Sequence, residues 1–364
     1  MKKIIWSLIA VIILGGLWFV TSIKSGQKQE VIKIGVIGPF TGGLSQYGEA
    51  YKNGIVLAEQ ELNTKAKNFE FIFEDSAYDP AKAVSAFQKL TQIDHVNLVM
   101  DWGAATGYGI APLVEGAKIP FIAFSVDPDV VKPSRYIIRH FYSPDDFAST
   151  LWTYFRSKGN KNIAIVKLKL LYYDKITQSL EKLKKTDETV KVIDEYQSFG
   201  DKDFRTSISK MISGHQQIDA LGVFLGGGQI AQFYKQAKVL KLTTPTFGAD
   251  FFESQTEIDN ADGLMNEAIY VNIGVTDDFK EKYKAKYGNE NQVSFAGQSY
   301  DFVNILVNNV DFSSSQNILS SFEKIRDFKG ILGKYTYSNE KGDRYLKSDL
   351  YIKKIDNGKI TIIK

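Results

Sequence analysis

The chain has 364 residues, 44% apolar and 24% charged, the make-up of a globular protein with room for two domains of ordinary size. Its formal charge is +3, and setting aside Lys2 and Lys3 leaves +1, so no basic field exists to recruit nucleic acid. It contains no cysteine, which excludes disulfides, thiolate metal sites and a lipid-modified cysteine.

The N-terminus places Lys2 and Lys3 before an uncharged run, residues 4–20, and then a polar stretch to Glu30. Residues 1–30 are predicted to be a signal peptide or signal anchor plus linker. The protein is therefore expected to be exported, periplasmic or at the cell surface, with anchoring through residues 4–20 as the alternative to cleavage.

Strands are predicted at 32–37, 69–74, 98–100, 121–124, 163–166, 190–196, 220–225 and 246–248. Amphipathic helices are predicted between them at 48–62, 81–92, 106–117, 147–157, 175–183, 203–212 and 230–240. Such alternation builds parallel sheets with helices on both faces. The period fails at 136–146, which marks the crossing to a second lobe. After Asp250 come a polar loop to Asp262, an apolar stretch at 263–275, and helices at 277–287, 297–310 and 320–328. Strands at 333–338, 348–354 and 360–363 follow, separated by turns at 339–342 and at Asn357-Gly358. This late segment is expected to complete the first lobe and end on the second.

Several motifs in order make the chain resemble the branched-chain amino-acid (leucine/isoleucine/valine) binding proteins of ABC importers, of periplasmic binding protein type I. They are the strand and glycine turn at 34–63, Asp75-Ser-Ala-Tyr-Asp-Pro80, Ile110-Ala-Pro112 with Ile119-Pro-Phe-Ile122, Gly200-Asp-Lys-Asp-Phe204, Phe247-Gly-Ala-Asp250 and Ala296-Gly-Gln-Ser-Tyr-Asp301. The resemblance covers 31–364. It implies an α/β fold of two Rossmann-like lobes joined by three crossovers, with the ligand cleft between them. Lobe 1 would comprise 31–143 and 272–346, and lobe 2 144–271 and 347–364, with short exposed linkers near 142–146, 271–275 and 344–349.

The same resemblance implies the ligand-binding residues. Tyr47 would pack beside the ligand, and the turn from Trp102 through Ala104 would hold a carboxylate with backbone N–H groups, alanine standing where the family usually has serine. Ser125 and Asp127 fall on a loop that contacts the ligand's polar groups. Asp127 there would favour a cation, unless it turns away to cap the turn before Pro128. Tyr172 would lie over the ligand, Gly228 would widen the pocket where relatives carry tyrosine, and Asp250 would pair with an ammonium.

The expected function is capture of a small amine-bearing solute, an amino acid or related compound, by hinge closure, and delivery to an ABC permease. The alternative is an anchored sensing domain that signals to a membrane partner. No enzyme, cofactor or metal site and no nucleic-acid partner is expected, and a monomer is. Leu225-Gly-Gly-Gly-Gln-Ile-Ala231 does satisfy a dinucleotide-binding spacing. It lies mid-chain, without hydride-transfer machinery. His95, His140 and His215 occur in unrelated contexts, with no zinc-binding spacing and no nucleophile elbow.

Overall fold

The computed structural model describes residues 31–62, 68–196, 198–213 and 217–364. The predicted export segment and His215 lie outside them. Among the described residues, no helix is long and apolar enough to cross a membrane.

The chain builds two sheets. The first begins with strand β1 (Ile32–Gly38), helix α1 (Ser45–Leu62), β2 (Phe69–Asp75), α2 (Pro80–Gln92), β3 (Leu98–Trp102), α3 (Ala104–Ala117), β4 (Phe121–Phe124) and β5 (Ile137–Arg139). The second is built from α4 (Pro144–Ser157), β6 (Asn162–Leu168), α5 (Leu171–Leu183), β7 (Thr189–Tyr196), α6 (Arg205–Ser213), β8 (Ala220–Phe224), α7 (Ile230–Val239), β9 (Thr246–Gly248), α8 (Gln255–Asn260) and β10 (Ile269–Asn272). The chain then returns with α9 (Asp277–Tyr287), α10 (Val293–Asn309), α11 (Ser315–Phe322), β11 (Phe328–Gly330), β12 (Gly333–Glu340) and β13 (Asp343–Ser348), and ends with β14 (Tyr351–Asp356) and β15 (Lys359–Ile362).

The sheet orders are β11-β12-β13-β5-β4-β3-β1-β2 and β15-β14-β10-β9-β8-β6-β7. In both, the first-formed strand lies between the second and third, the parallel strands follow the same order, and a late hairpin closes one edge. Helices α2 and α4 start earlier than apolar periodicity alone suggests because polar caps extend them. Asp79 accepts from the Lys82 amide ahead of α2, and Ser143 accepts from the Asp145 amide ahead of α4, each followed by proline at the first turn.

The late segment departs from the sequence expectation. The polar stretch after Asp250 forms a short 3-10 turn, Asp250–Glu253, and α8. The third of the late helices is α11, ending at Phe322, and Phe328 already belongs to a strand. Residues 344–348 are strand β13 rather than linker, and β5 was read as the break between lobes. Both strands carry charges that mask their pattern. Arg139 of β5 is fully buried, with its guanidinium on Asp343 of β13 and on the carbonyls of Ser125, Phe141 and Tyr142. The passages between sheets at Tyr142 and Val271–Val275 are buried, not exposed.

Behind the second sheet, Lys353 of β14 pairs with Glu253, at 2.8 Å, with both side chains at most 3% exposed. Tyr270 Oη and Asn272 Nδ2 also donate to Glu253 Oε2, each at 2.9 Å. The charge is thus satisfied from several sides, the condition under which a buried pair is tolerated.

Helix α1 packs against α10 at a close crossing. A Cβ added at Gly54 would lie 1.9 Å from the Ala296 carbonyl oxygen. Gly54→Ala should therefore lower stability by about 1–3 kcal/mol, the cost of overpacking. In urea unfolding it should shift the midpoint with little change in slope. Gly116→Ala on the exposed face of α3, where nothing lies within 4 Å of the new methyl, should be neutral or stabilising.

Candidate functional site

The cavity of interest, about 40 Å³, lies between the lobes at the carboxyl ends of the parallel strands. Leu44 follows β1, Tyr78 follows β2, Trp102 ends β3 with Gly103 and Ala104 after it, and Phe124 ends β4 with Val126 just beyond. Phe141 comes from the first passage between lobes, and Phe295 from α10. From the other lobe come Leu170 and Tyr172 after β6, and Asp250 and Phe251 after β9. Strand ends around the point where sheet order reverses are where open α/β sheets bind ligands.

The walls are mostly aromatic. Phe251 crosses from the second lobe to stack on Tyr47 at 4.2 Å between ring centroids. Phe295 meets Tyr47 edge-on at 5.7 Å and Trp102 at 5.5 Å. Among the described residues, Asp250 is the single acidic side chain on the lining, and no lysine, arginine or histidine joins it. Its carboxylate accepts the Tyr172 hydroxyl at 2.7 Å, and that hydroxyl lies 2.5 Å from the Tyr142 hydroxyl.

Asp250 is 2% exposed, and its burial pushes its pKa from 3.8 up to about 7. The Tyr172 hydroxyl and the Phe251 amide oppose that shift, while the charge of Glu253 adds to it. An uncompensated carboxylate in such surroundings holds its proton until a cation is supplied.

The sequence model of the family described as "Periplasmic binding protein" matches residues 31–359. The chain belongs to that family. The "Leu/Ile/Val-binding protein" of Escherichia coli (strain K12) is 24% identical over 341 residues, covering 86% of this chain and 88% of that protein. The solved substrate-binding protein LivJ from Streptococcus pneumoniae, in complex with isoleucine, superposes with a TM-score of 0.79 at 23% identity, covering 92% of this chain and 100% of that one. A solute-binding protein from R. palustris in complex with benzoate gives 0.79 at 18% identity, over 92% of this chain and 96% of that one. At these identities the structures establish the fold, two α/β lobes of the type I periplasmic binding protein kind.

In this periplasmic binding protein, Trp102, Ala104, Tyr172 and Asp250 line the cavity together. Tyr47 is fully buried behind Phe251 and forms the wall's second layer. Ser125 also lies back from the cavity, with Oγ accepting the Asp127 amide at 3.2 Å.

Asp127 is turned away from the cavity. Its Oδ1 caps the 3-10 turn by accepting the Asp129 amide at 3.0 Å, and its Oδ2 meets Lys175 Nζ of α5 at 3.0 Å. It therefore joins lobe to lobe. Gly228 is not a pocket wall either, since a Cβ there would point at Lys202. Its amide donates to Glu257, as does that of Ala231 at 2.7 Å, so the glycine-rich start of α7 is filled by the protein's own carboxylate. A dinucleotide phosphate would have to displace that carboxylate.

Sequence reading missed Leu44, Tyr78, Phe124, Phe141, Leu170, Phe251 and Phe295. Phe251 and Phe124 sit next to strand ends and were legible in principle, whereas Phe295 arrives from a helix far along the chain. His140 packs 4.6 Å from the Phe124 ring, and its burial lowers its pKa to about 3, so it stays neutral. Among the described residues, no cluster of acidic and histidine side chains is arranged to hold a metal ion.

The raised pKa of Asp250 has consequences of definite sign. The unfolded chain releases this proton near 3.8 and the folded one near 7, so the folded state binds more protons between those values. The contribution of this group to unliganded stability therefore falls as pH rises through that window and is flat above it. A bound amine favours the ionised form, so amine affinity should rise with pH, by at most about tenfold per unit, up to about pH 7. Asp250→Asn should remove that slope and cost about tenfold or more in affinity, as read by titration calorimetry across the range.

Proposed function

We propose that this protein captures a small amine-bearing solute, an amino acid or related compound, outside the cytoplasm and delivers it to an ABC permease. The observation that carries the reading is Asp250, among the described residues the one charged group on an otherwise apolar and aromatic cavity fed by both lobes. An ammonium would satisfy its charge, and the rings would take the solute's apolar body and add cation–π attraction.

Closure of the lobes over the solute is part of the proposal. Phe251 on Tyr47 and Lys175 on Asp127 and Asp129 join residues of the two lobes, and such contacts support it. A ligand that touches both lobes would shift the population toward that arrangement. The amino-acid names of the relatives agree with an ammonium-bearing solute. A benzoate-like anion suits this chain less well, because the walls offer it no cation.

Two measurements test the reading. In a thermal-shift screen, amines and amino acids with apolar bodies should raise the melting temperature, by the equivalent of about 2.7 kcal/mol at a hundredfold excess over Kd, and benzoate should not. A shift with benzoate alone would overturn the proposal. Lys175→Met, away from the cavity and with its side chain 21% exposed in the parent, should weaken binding by about tenfold. Small-angle scattering of the liganded variant should show a larger population of open molecules.

A further inference from the structure

Six aromatic side chains on the cavity lining touch one another in an unbroken series. Tyr78 meets Trp102 at 6.2 Å between ring centroids, Trp102 meets Phe295 at 5.5 Å, and Phe295 meets Phe251 at 6.4 Å. Phe251 then meets Tyr172 at 6.0 Å, and Tyr172 meets Phe141 at 6.2 Å. Successive rings are inclined to one another by 62°, 68°, 58°, 33° and 84°, so the wall they make is not flat. Tyr78 joins it from a turn after β2 in which Ala77 and Tyr78 have φ of 48° and 62°. Left-handed backbone at such residues is costly and persists only where the surroundings hold it. Here Asp75 Oδ1 accepts the amides of Phe40 at 2.8 Å and Ala77 at 2.9 Å.

Inside this wall, hydrogen-bond acceptors are scarce. Among the described residues, the side-chain oxygens on the lining belong to Tyr78, Tyr172 and Asp250. The Tyr172 hydroxyl already donates to Asp250 and pairs with that of Tyr142. Of the main-chain carbonyls, that of Gly103 accepts the Gly107 amide, that of Phe124 the Gly103 amide and that of Leu170 the Asp174 amide. The Phe141 carbonyl accepts Arg139 Nη1 at 2.9 Å. A primary ammonium brings three N–H donors, and each needs a partner once it is buried. A quaternary ammonium carries the same charge with no donor to satisfy. Its charge is drawn to aromatic rings, tryptophan most of all, and more strongly where water is excluded. The cavity, about 40 Å³, has room for about three water-sized groups, the scale of a trimethylated head group.

We infer that the solute is a compact quaternary ammonium ion, its N-methyl groups enclosed by the aromatic wall and its charge balanced by Asp250. The inference rests on the amine reading above and narrows it to cations without N–H donors. A carboxylate on the same solute would find no lysine, arginine or histidine among the described residues of the lining. Alkyl and hydroxyalkyl ammonium ions therefore fit, and betaines do not.

The test compares pairs that differ in N-methylation, by titration calorimetry on the full-length protein: tetramethylammonium with methylammonium, and choline with ethanolamine. In at least one pair the methylated member should bind about tenfold or more tighter. Trp102→Leu should cut that ratio by about tenfold, through a loss in affinity for the methylated member, with the primary amine nearly unchanged. Equal or tighter binding of the primary amines by the parent protein would overturn the inference and leave the amine-solute proposal standing. An unchanged ratio in Trp102→Leu would overturn the role given to the rings. If no member of either pair binds, the inference fails. Leucine and 3-methylbutylamine, titrated alongside, then decide the broader reading, which survives if either binds and falls if neither does. The parent comparison stands whether or not the variant folds.

Discussion

A carboxyl group held in an aromatic enclosure, with hydroxyls but no cation beside it, is the constraint around which the molecule is arranged. Asp250 can be placed there only because it opens a 3-10 turn at the end of a central strand, where the sheet supports it and its partners come from separate elements: Tyr172 from α5 and Tyr142 from the passage between lobes. The position costs stability once the group ionises, and a cationic solute would offset that cost. Residues unfavourable to the empty protein are a common mark of a binding site.

The lobes meet through contacts of two different kinds. The Phe251–Tyr47 stack is apolar and adjoins the cavity, so its packing depends on what lies between the lobes. The Lys175 bridge to Asp127 and Asp129 is ionic and lies outside the cavity lining. Under the proposed closure, a latch outside the pocket would let closure be adjusted without altering recognition. The separation also explains why Asp127 misleads on inspection of the sequence. Its place on a loop after β4 suggests ligand contact, but its direction is decided by a lysine on the other lobe, which local pattern does not reveal.

Regular βα alternation made both sheets legible in outline, since each buried strand was a short apolar run and each helix had one apolar face. Where legibility failed, charge was the cause. The strand carrying Arg139 reads as a break because a guanidinium seldom belongs inside a sheet, yet here a carboxylate and three carbonyls receive it. The site was legible at Trp102, Ala104, Tyr172 and Asp250 through strand ends and family pattern. Tyr78 was hidden because its delivery depends on a backbone conformation that no residue type in Ala77-Tyr78 announces. Gly228 looks like a missing wall, but its own amide, with that of Ala231, serves the internal cap made by Glu257.

The last ribbon of the chain reaches the recognition chemistry from behind. Lys353 on β14 neutralises Glu253, three positions beyond the acid that faces the cavity, and Glu253 is the neighbour whose charge discourages ionisation of Asp250. The tail of the polypeptide is thus an electrostatic counterweight for the acid proposed to hold the ligand. Trimming or loosening it would expose a second negative charge at the back of the pocket and bias the anchor toward its neutral form without disturbing any residue the solute touches.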